Sequence, residues 1–119
     1  NLRWIKYTSD EDVFGLYKAA NVFMCISLYE GFNITPLEAL GLGVPTICSN
    51  LSSLPEVVGD AAYMLEDPRD PVEMATAIEH VLFDDELSAS LIEKGRHQAA
   101  QFSWQRCAKE TMDILKGKL

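Results

Sequence analysis

Basic residues are scarce in this sequence. Ten Lys and Arg stand against eighteen Asp and Glu, a formal net charge of −8. A field of that sign repels nucleic acid and anionic lipid, so neither is an expected partner. It also opposes an anionic substrate unless oriented backbone dipoles offset it. Long apolar runs are missing as well. No stretch nears the ~20 apolar residues of a membrane-spanning helix, and no secretory leader is expected. Cysteine is limited to Cys25, Cys48 and Cys107, well separated and odd in number. All three are expected to be reduced thiols in or near the core, in a reducing and therefore cytoplasmic setting. Histidine is limited to His80 and His97, both in helix-like stretches where a packed or solvated side chain is the ordinary outcome. Without CxxC or HExxH, no metal site is expected. Neither Gly-x-Gly-x-x-Gly nor a P-loop occurs, so a dinucleotide or P-loop site has no support.

What is present is an ordinary globular composition. The chain has 119 residues, 48% hydrophobic and 24% charged, enough for one domain with a real core. Leu2 to Tyr7, "LRWIKY", has the aromatic and β-branched character of a strand. "TSDED" then supplies caps and acids for a helix start, and Val13, Leu16, Tyr17 and Ala20 repeat at helical spacing. The continuous apolar runs "NVFMCIS" (residues 21–27) and "VPTICS" (44–49) suit strands covered on both faces. A loop over 28–34 and a helix over 36–43, ended by Gly41 and Gly43, lie between them. A short helical turn closed by Gly59 and a last strand over 61–65 follow. This alternation predicts a parallel α/β sheet, whose ligands bind at the carboxyl ends of the strands. Residues 1–66 form its α/β part.

From residue 67 to 119 the pattern is helical throughout. Asp70, Pro71 and Glu73 read as a cap, a first helical residue and a capping box. Ala75, Ile78 and Leu82 are the expected inward face of that helix. Leu87, Leu91 and Phe102 are expected inward on the next, with Gly95 marking a kink. Ser103 caps a last helix anchored in the core by Trp104. Asp67 reads as a turn residue.

The chemistry concentrates in "YEGFNITPLEALGLGVPTICSN", residues 29–50, where seven residues separate Glu30 from Glu38. Thr35, Pro36 and Glu38 fit a capping box, which makes Glu38 a structural residue. Glu30 fits a solvated loop residue. The same stretch also fits a ligand site. Gly31 allows close approach of a ligand or a positive φ. Backbone N–H groups from Phe32 to Thr35 could hold a pyrophosphate, and a nearby carboxylate could accept bonds from sugar hydroxyls at roughly 1.5–3 kcal/mol each. Across the strand ends, Asn50 to Ser53 fits either a ligand border or a plain turn. Ser53 and Glu56 read as another cap pair.

"EGFNITPLEALGLGVPTICSNLSSLPEVVGDAA" resembles the donor-binding signature of the retaining group 1 glycosyltransferases. Their pattern joins two glutamates with seven residues between them to a glycine-proline strand start and a P-E-x-x-G segment. Glu30, Gly31, Phe32, Glu38, Ala39, Gly43, Pro45, Pro55, Glu56 and Gly59 match it, and the likeness extends along essentially the whole chain. It implies the GT-B fold, here as a partial Rossmann-like parallel sheet of about three to four strands with flanking helices and a helical tail. It also implies a metal-independent enzyme without cofactor, whose substrate is a nucleoside diphosphate sugar. Glu38 would bind the ribose hydroxyls and Glu30 would act catalytically near the transferred sugar. Gly31, Phe32, Asn33, Ile34 and Thr35 would hold the diphosphate or sugar.

Two departures stand out. Asn33 occupies a position that is often glycine in the family. The family's Arg and Lys pair for the diphosphate, and its N-terminal acceptor domain, do not precede Leu2. The expectation is therefore a piece of a longer transferase, inactive alone. Its parent would be cytoplasmic, with peripheral contact at the inner face of a membrane left open. A non-catalytic nucleotide-sugar-binding or assembly module of the same fold is the alternative. Two purely structural glutamates would be a third.

Overall fold

The computed structural model describes residues 2–118. Three short parallel strands form its centre: β1 (Phe23–Cys25), β2 (Thr46–Ser49) and β3 (Tyr63–Leu65), in the order β1-β2-β3. Cys25 pairs with Cys48 and Ser49 with Leu65. Each crossover runs through a helix, as parallel pairing requires. α1 (Asp10–Ala19) precedes β1, α2 (Thr35–Gly41) links β1 to β2, and α3 (Leu54–Val58) links β2 to β3. After Leu65 the remaining elements are α4 (Pro71–Phe83), α5 (Asp85–Ala100) and α6 (Trp104–Leu115). The expected α/β class and parallel sheet are what the structure has, with three strands.

The middle strand explains the continuous apolar runs. Successive side chains of a strand point to opposite faces. Cys48 therefore joins Cys25, Leu37, Leu40, Leu54 and Val58 under α2 and α3. Ile47 joins Leu65, Ala77, Val81 and Leu91 under α4 and α5. All four residues of β2 are buried. α1 closes a smaller cluster of Tyr17, Ala39 and Val44.

Several expectations need correction. Leu2 to Tyr7 is not a strand, and Leu2, Trp4 and Tyr7 are at least 88% exposed. β-propensity acts through packing against neighbouring strands, and this segment has none among the described residues. The inward face of α4 is Ala77 and Val81 with Met74 and Ile78, while Ala75 and Leu82 face out. That helix is apolar nearly all round, so spacing alone permitted two stripes. Its capping box is incomplete. Asp70 caps through Val72 N–H, but the Glu73 carboxylate accepts from Glu66 and Asp67 instead. Ser53 makes no side-chain cap to α3 either. Phe102 is part-exposed. Trp104 is 76% exposed and Cys107 is exposed, because α6 buries no residue among those described. No element packs closely over its apolar side chains among the described residues.

Gly95 marks no kink, since α5 runs unbroken through it. The glycine is instead a contact point: a Cβ there would lie 2.9 Å from Leu40 Cδ2 and 3.4 Å from Leu40 Cα. Leu40 is itself only 1% exposed and cannot swing aside. This close approach presses α2 against α5 and so fixes the helix that follows the candidate loop. Gly95→Val is expected to lower stability by about 2 kcal/mol, within the range for overpacked cores. Urea unfolding of the two proteins measures it, and an unchanged midpoint would mean that the helices separate at no cost.

Candidate functional site

The loops after β1 and β2 leave the same end of the sheet, and serine hydroxyls tie them together. Ser49 donates to the Ser27 carbonyl at 2.6 Å. Ser52 donates to the Glu30 carbonyl at 2.7 Å and accepts from Glu30 N–H at 3.2 Å. Ser53 donates to the same carbonyl at 3.0 Å. The second loop, which the sequence left open between a ligand border and a plain turn, is thus the brace of the first. Ser52 reaches these positions at φ 57, in the left-handed region.

The first loop turns at Asn33, with φ 64. Gly31 does not take a positive φ, and a Cβ there would meet nothing within 4 Å. Its contribution is open space above the backbone. Asn tolerates the left-handed region better than most residues because its short amide bonds locally. Here Asn33 Oδ1 accepts from Thr35 N–H at 3.1 Å and from Thr35 Oγ1 at 2.8 Å. This overturns the capping-box reading of Thr35 and Glu38. Asn33, not Thr35, supplies the side-chain cap, and Ile34 occupies the geometric cap position of α2. Among the described residues, the N–H groups of Gly31, Phe32, Asn33 and Ile34 have no protein acceptor. Four donors are therefore left at the open side of one turn.

The two glutamates are held by different partners. Glu30 Oε1 accepts from Asn33 Nδ2 at 3.0 Å. Glu38 Oε2 lies 3.2 Å from the hydroxyl of Tyr17, which also lies 3.4 Å from the Thr35 carbonyl. Tyr17 comes from α1 and stacks tilted on Phe23 at 5.5 Å. It belongs to the site, and the sequence showed it only as one member of a helical stripe. Burial, and then the Glu38 charge, push its phenol up to about 12. Glu38 also borders an open, mostly apolar groove of about 570 Å3, with Phe32, Ile34, Leu37, Phe102 and Trp104. Phe32 meets Phe102 edge-on at 5.8 Å.

Beneath the loop sits Cys25, which accepts from Asn33 Nδ2 at 3.3 Å. The neighbouring Cys48 thiol, with the Ser27 N–H and hydroxyl, draws the Cys25 thiol down against the effect of burial. Cys48, beside Cys25 and the more deeply buried, is pushed up. Among the described residues, no Lys or Arg contributes to the loop or groove. The ion pairs Lys94–Asp60, Arg69–Asp67 and Arg106–Glu110 lie elsewhere on the surface. No group of three His, Cys, Asp or Glu side chains with metal-holding geometry occurs among the described residues. The arrangement can hold hydroxyls with two carboxylates and an anion with backbone donors.

Tyr17 gives a pH signature. A phenol that titrates higher when folded than its ordinary 10 keeps its proton longer in the native state. The native state then binds more protons between about pH 10 and pH 12, so its stability falls through that window. Titration by ultraviolet absorbance is expected to find one of the four tyrosines ionising late. Tyr17→Phe should remove that step and cost about 1 kcal/mol, the typical net contribution of one hydrogen bond. Four tyrosines ionising together in the native chain would contradict the Tyr17–Glu38 contact.

Residues 1–98 match the family described as "Glycosyl transferases group 1". The chain is 44% identical over 115 residues to O-antigen chain mannosyltransferase B of Escherichia coli, covering 97% of this chain and 30% of that one. It is 36% identical over 109 residues to the serotype-specific mannosyltransferase WbdA of the same organism, covering 90% of this chain and 13% of the relative. Its structure superimposes on the sucrose-phosphate synthase of Thermosynechococcus elongatus with a TM-score of 0.76 at 30% identity, over 86% of this chain and 26% of that one. The chain thus spans under a third of the length of the relatives it matches. With the loop geometry, the strand order and these likenesses in agreement, this chain belongs to the group 1 glycosyltransferases.

Proposed function

We propose that the turn from Glu30 to Thr35, with Glu38, is the donor side of a retaining hexosyltransferase that uses a nucleoside diphosphate sugar. The observation that carries this reading is the set of four unpaired N–H groups from Gly31 to Ile34, flanked by two carboxylates held in place by neutral partners. The amides would take the diphosphate, offsetting the unfavourable net charge. Glu38, steadied by Tyr17, would accept from the ribose hydroxyls. Glu30 would contact the transferred sugar. Its backbone is braced from both sides by Ser52 and Ser53, so its carboxylate starts from a fixed base. Phe32 and Ile34 line the apolar wall beside Glu38, where a flat or apolar part of the donor would rest.

On this reading the cations that stabilise the leaving diphosphate, and the groups that bind the acceptor, come from residues outside this chain. The 119 residues form one donor-side unit, with the α/β part over 1–66 and helices over 67–119. The donor is the proposed small-molecule partner and an acceptor domain the proposed covalent one. A cytoplasmic setting follows from the reduced thiols that such a unit would keep, and contact of a longer polypeptide with a membrane is compatible with it.

Titration of the isotope-labelled chain with UDP, GDP and ADP tests the reading. Amide resonances of Gly31 to Ile34 should shift at millimolar nucleotide, and those of α4 should not. Shifts confined to other surfaces would refute the site. In the full-length polypeptide that carries this sequence, Glu30→Ala is expected to cut turnover about 100-fold, the scale of losing one preorganised polar group. The 119 residues alone should show no turnover.

A further inference from the structure

Asn33 has an amide whose hydrogen-bonding capacity is completely used. An Asn side chain offers two N–H donors and a carbonyl with two lone pairs. Nδ2 donates to Glu30 Oε1 at 3.0 Å and to Cys25 Sγ at 3.3 Å. Oδ1 accepts from Thr35 N–H at 3.1 Å and Thr35 Oγ1 at 2.8 Å. The amide cannot be reversed, because that would set its oxygen against a carboxylate and its NH2 against an N–H. Four groups from a strand, a loop and a helix start are thus referred to one planar unit. The backbone at φ 64 would accept glycine at least as readily, so local conformation does not account for the side chain.

We infer that Asn33 is the positioning residue of Glu30, clamping one carboxylate oxygen so that the other faces the donor's sugar. The inference rests on the donor-site reading above. Oε2 of Glu30 has no protein partner among the described residues, which leaves it for a ligand hydroxyl. Cys25 is the fixed end of the clamp. It is buried on β1, pairs in register with Cys48 and is held by Ser27. Catalytic contact stays with Glu30, and Asn33 acts through it.

A double-mutant cycle on the full-length transferase separates positioning from a plain structural role. Asn33→Gly keeps the turn but removes all four contacts. It is expected to lower kcat about 10-fold, the scale of a carboxylate freed from its productive orientation. The dissociation constant for sugar-free nucleoside diphosphate should change much less than kcat does. Asn33→Asp keeps the acceptor for Thr35 but faces Glu30 with a second carboxylate, and should lower kcat further. In a Glu30→Gln background, Asn33→Gly should have no additional effect. Equal losses in both backgrounds, or wild-type kcat in Asn33→Asp, would overturn the positioning role while leaving the donor site standing. Wild-type turnover in Glu30→Gln alone would overturn the donor-site reading and this inference with it.

Discussion

The side-by-side binding of two strand ends is the constraint on which the rest depends. β1 and β2 lie in parallel register, so their carboxyl ends finish at the same level. The bond from Ser49 to the Ser27 carbonyl fixes that level, and the bonds from Ser52 and Ser53 to Glu30 carry it into the loops. Each is a short, neutral contact of modest net value, about 1 kcal/mol. Their effect is geometric more than energetic. A loop that would otherwise wander is held by its own backbone at the point where its carboxylate begins. The helices reinforce this from behind, with Leu40 seated on Gly95 and Tyr17 reaching over the first turn of α2.

The electrostatic design follows from what is scarce. A chain with eight excess negative charges places no cation at this loop among the described residues, and its two central carboxylates are stabilised by an amide and a phenol. Neutral donors hold a carboxylate without cancelling its charge, so the oxygens remain strong acceptors. A lysine or arginine in the same place would compete with an incoming hydroxyl. On one side Glu38 borders the open apolar wall of Phe32, Ile34 and Phe102.

Much of this was legible in the order of residues. The continuous apolar runs announced a doubly covered strand, and β2 has both faces in a core. The extended likeness around Glu30 and Glu38 located the loop and the family. Local rules gave less at the helix starts. Thr35, Ser53 and Glu73 each sat in a capping-box pattern, yet their side chains bond elsewhere: Thr35 to Asn33 in the same turn, Glu73 to the backbone before its helix, and Ser53 to the Glu30 carbonyl of the other loop. Asn33 and Tyr17 show the limit from the other side. Tyr17 reaches Glu38 across elements, a contact no spacing rule encodes, while Asn33 combines a local turn bond to Thr35 with bonds to Glu30 and to Cys25 on β1. Leu2 to Tyr7 and Trp104 misled for a common reason. Apolar residues signal burial only where a partner surface closes over them; Leu2 to Tyr7 has no such surface among the described residues, and Trp104 stands at an open groove.

The short parallel strands have a kinetic meaning. Neither pairing can close until the helix between its strands has formed and turned back, so each costs loop entropy before any ladder bond repays it. A seven-residue helix such as α2 is too short to persist alone. Its folding is therefore coupled to docking on α5, an element more than forty positions later in the chain. The sheet end that carries Glu30 therefore lacks the support behind α2 until α5, far later in the chain, is in place.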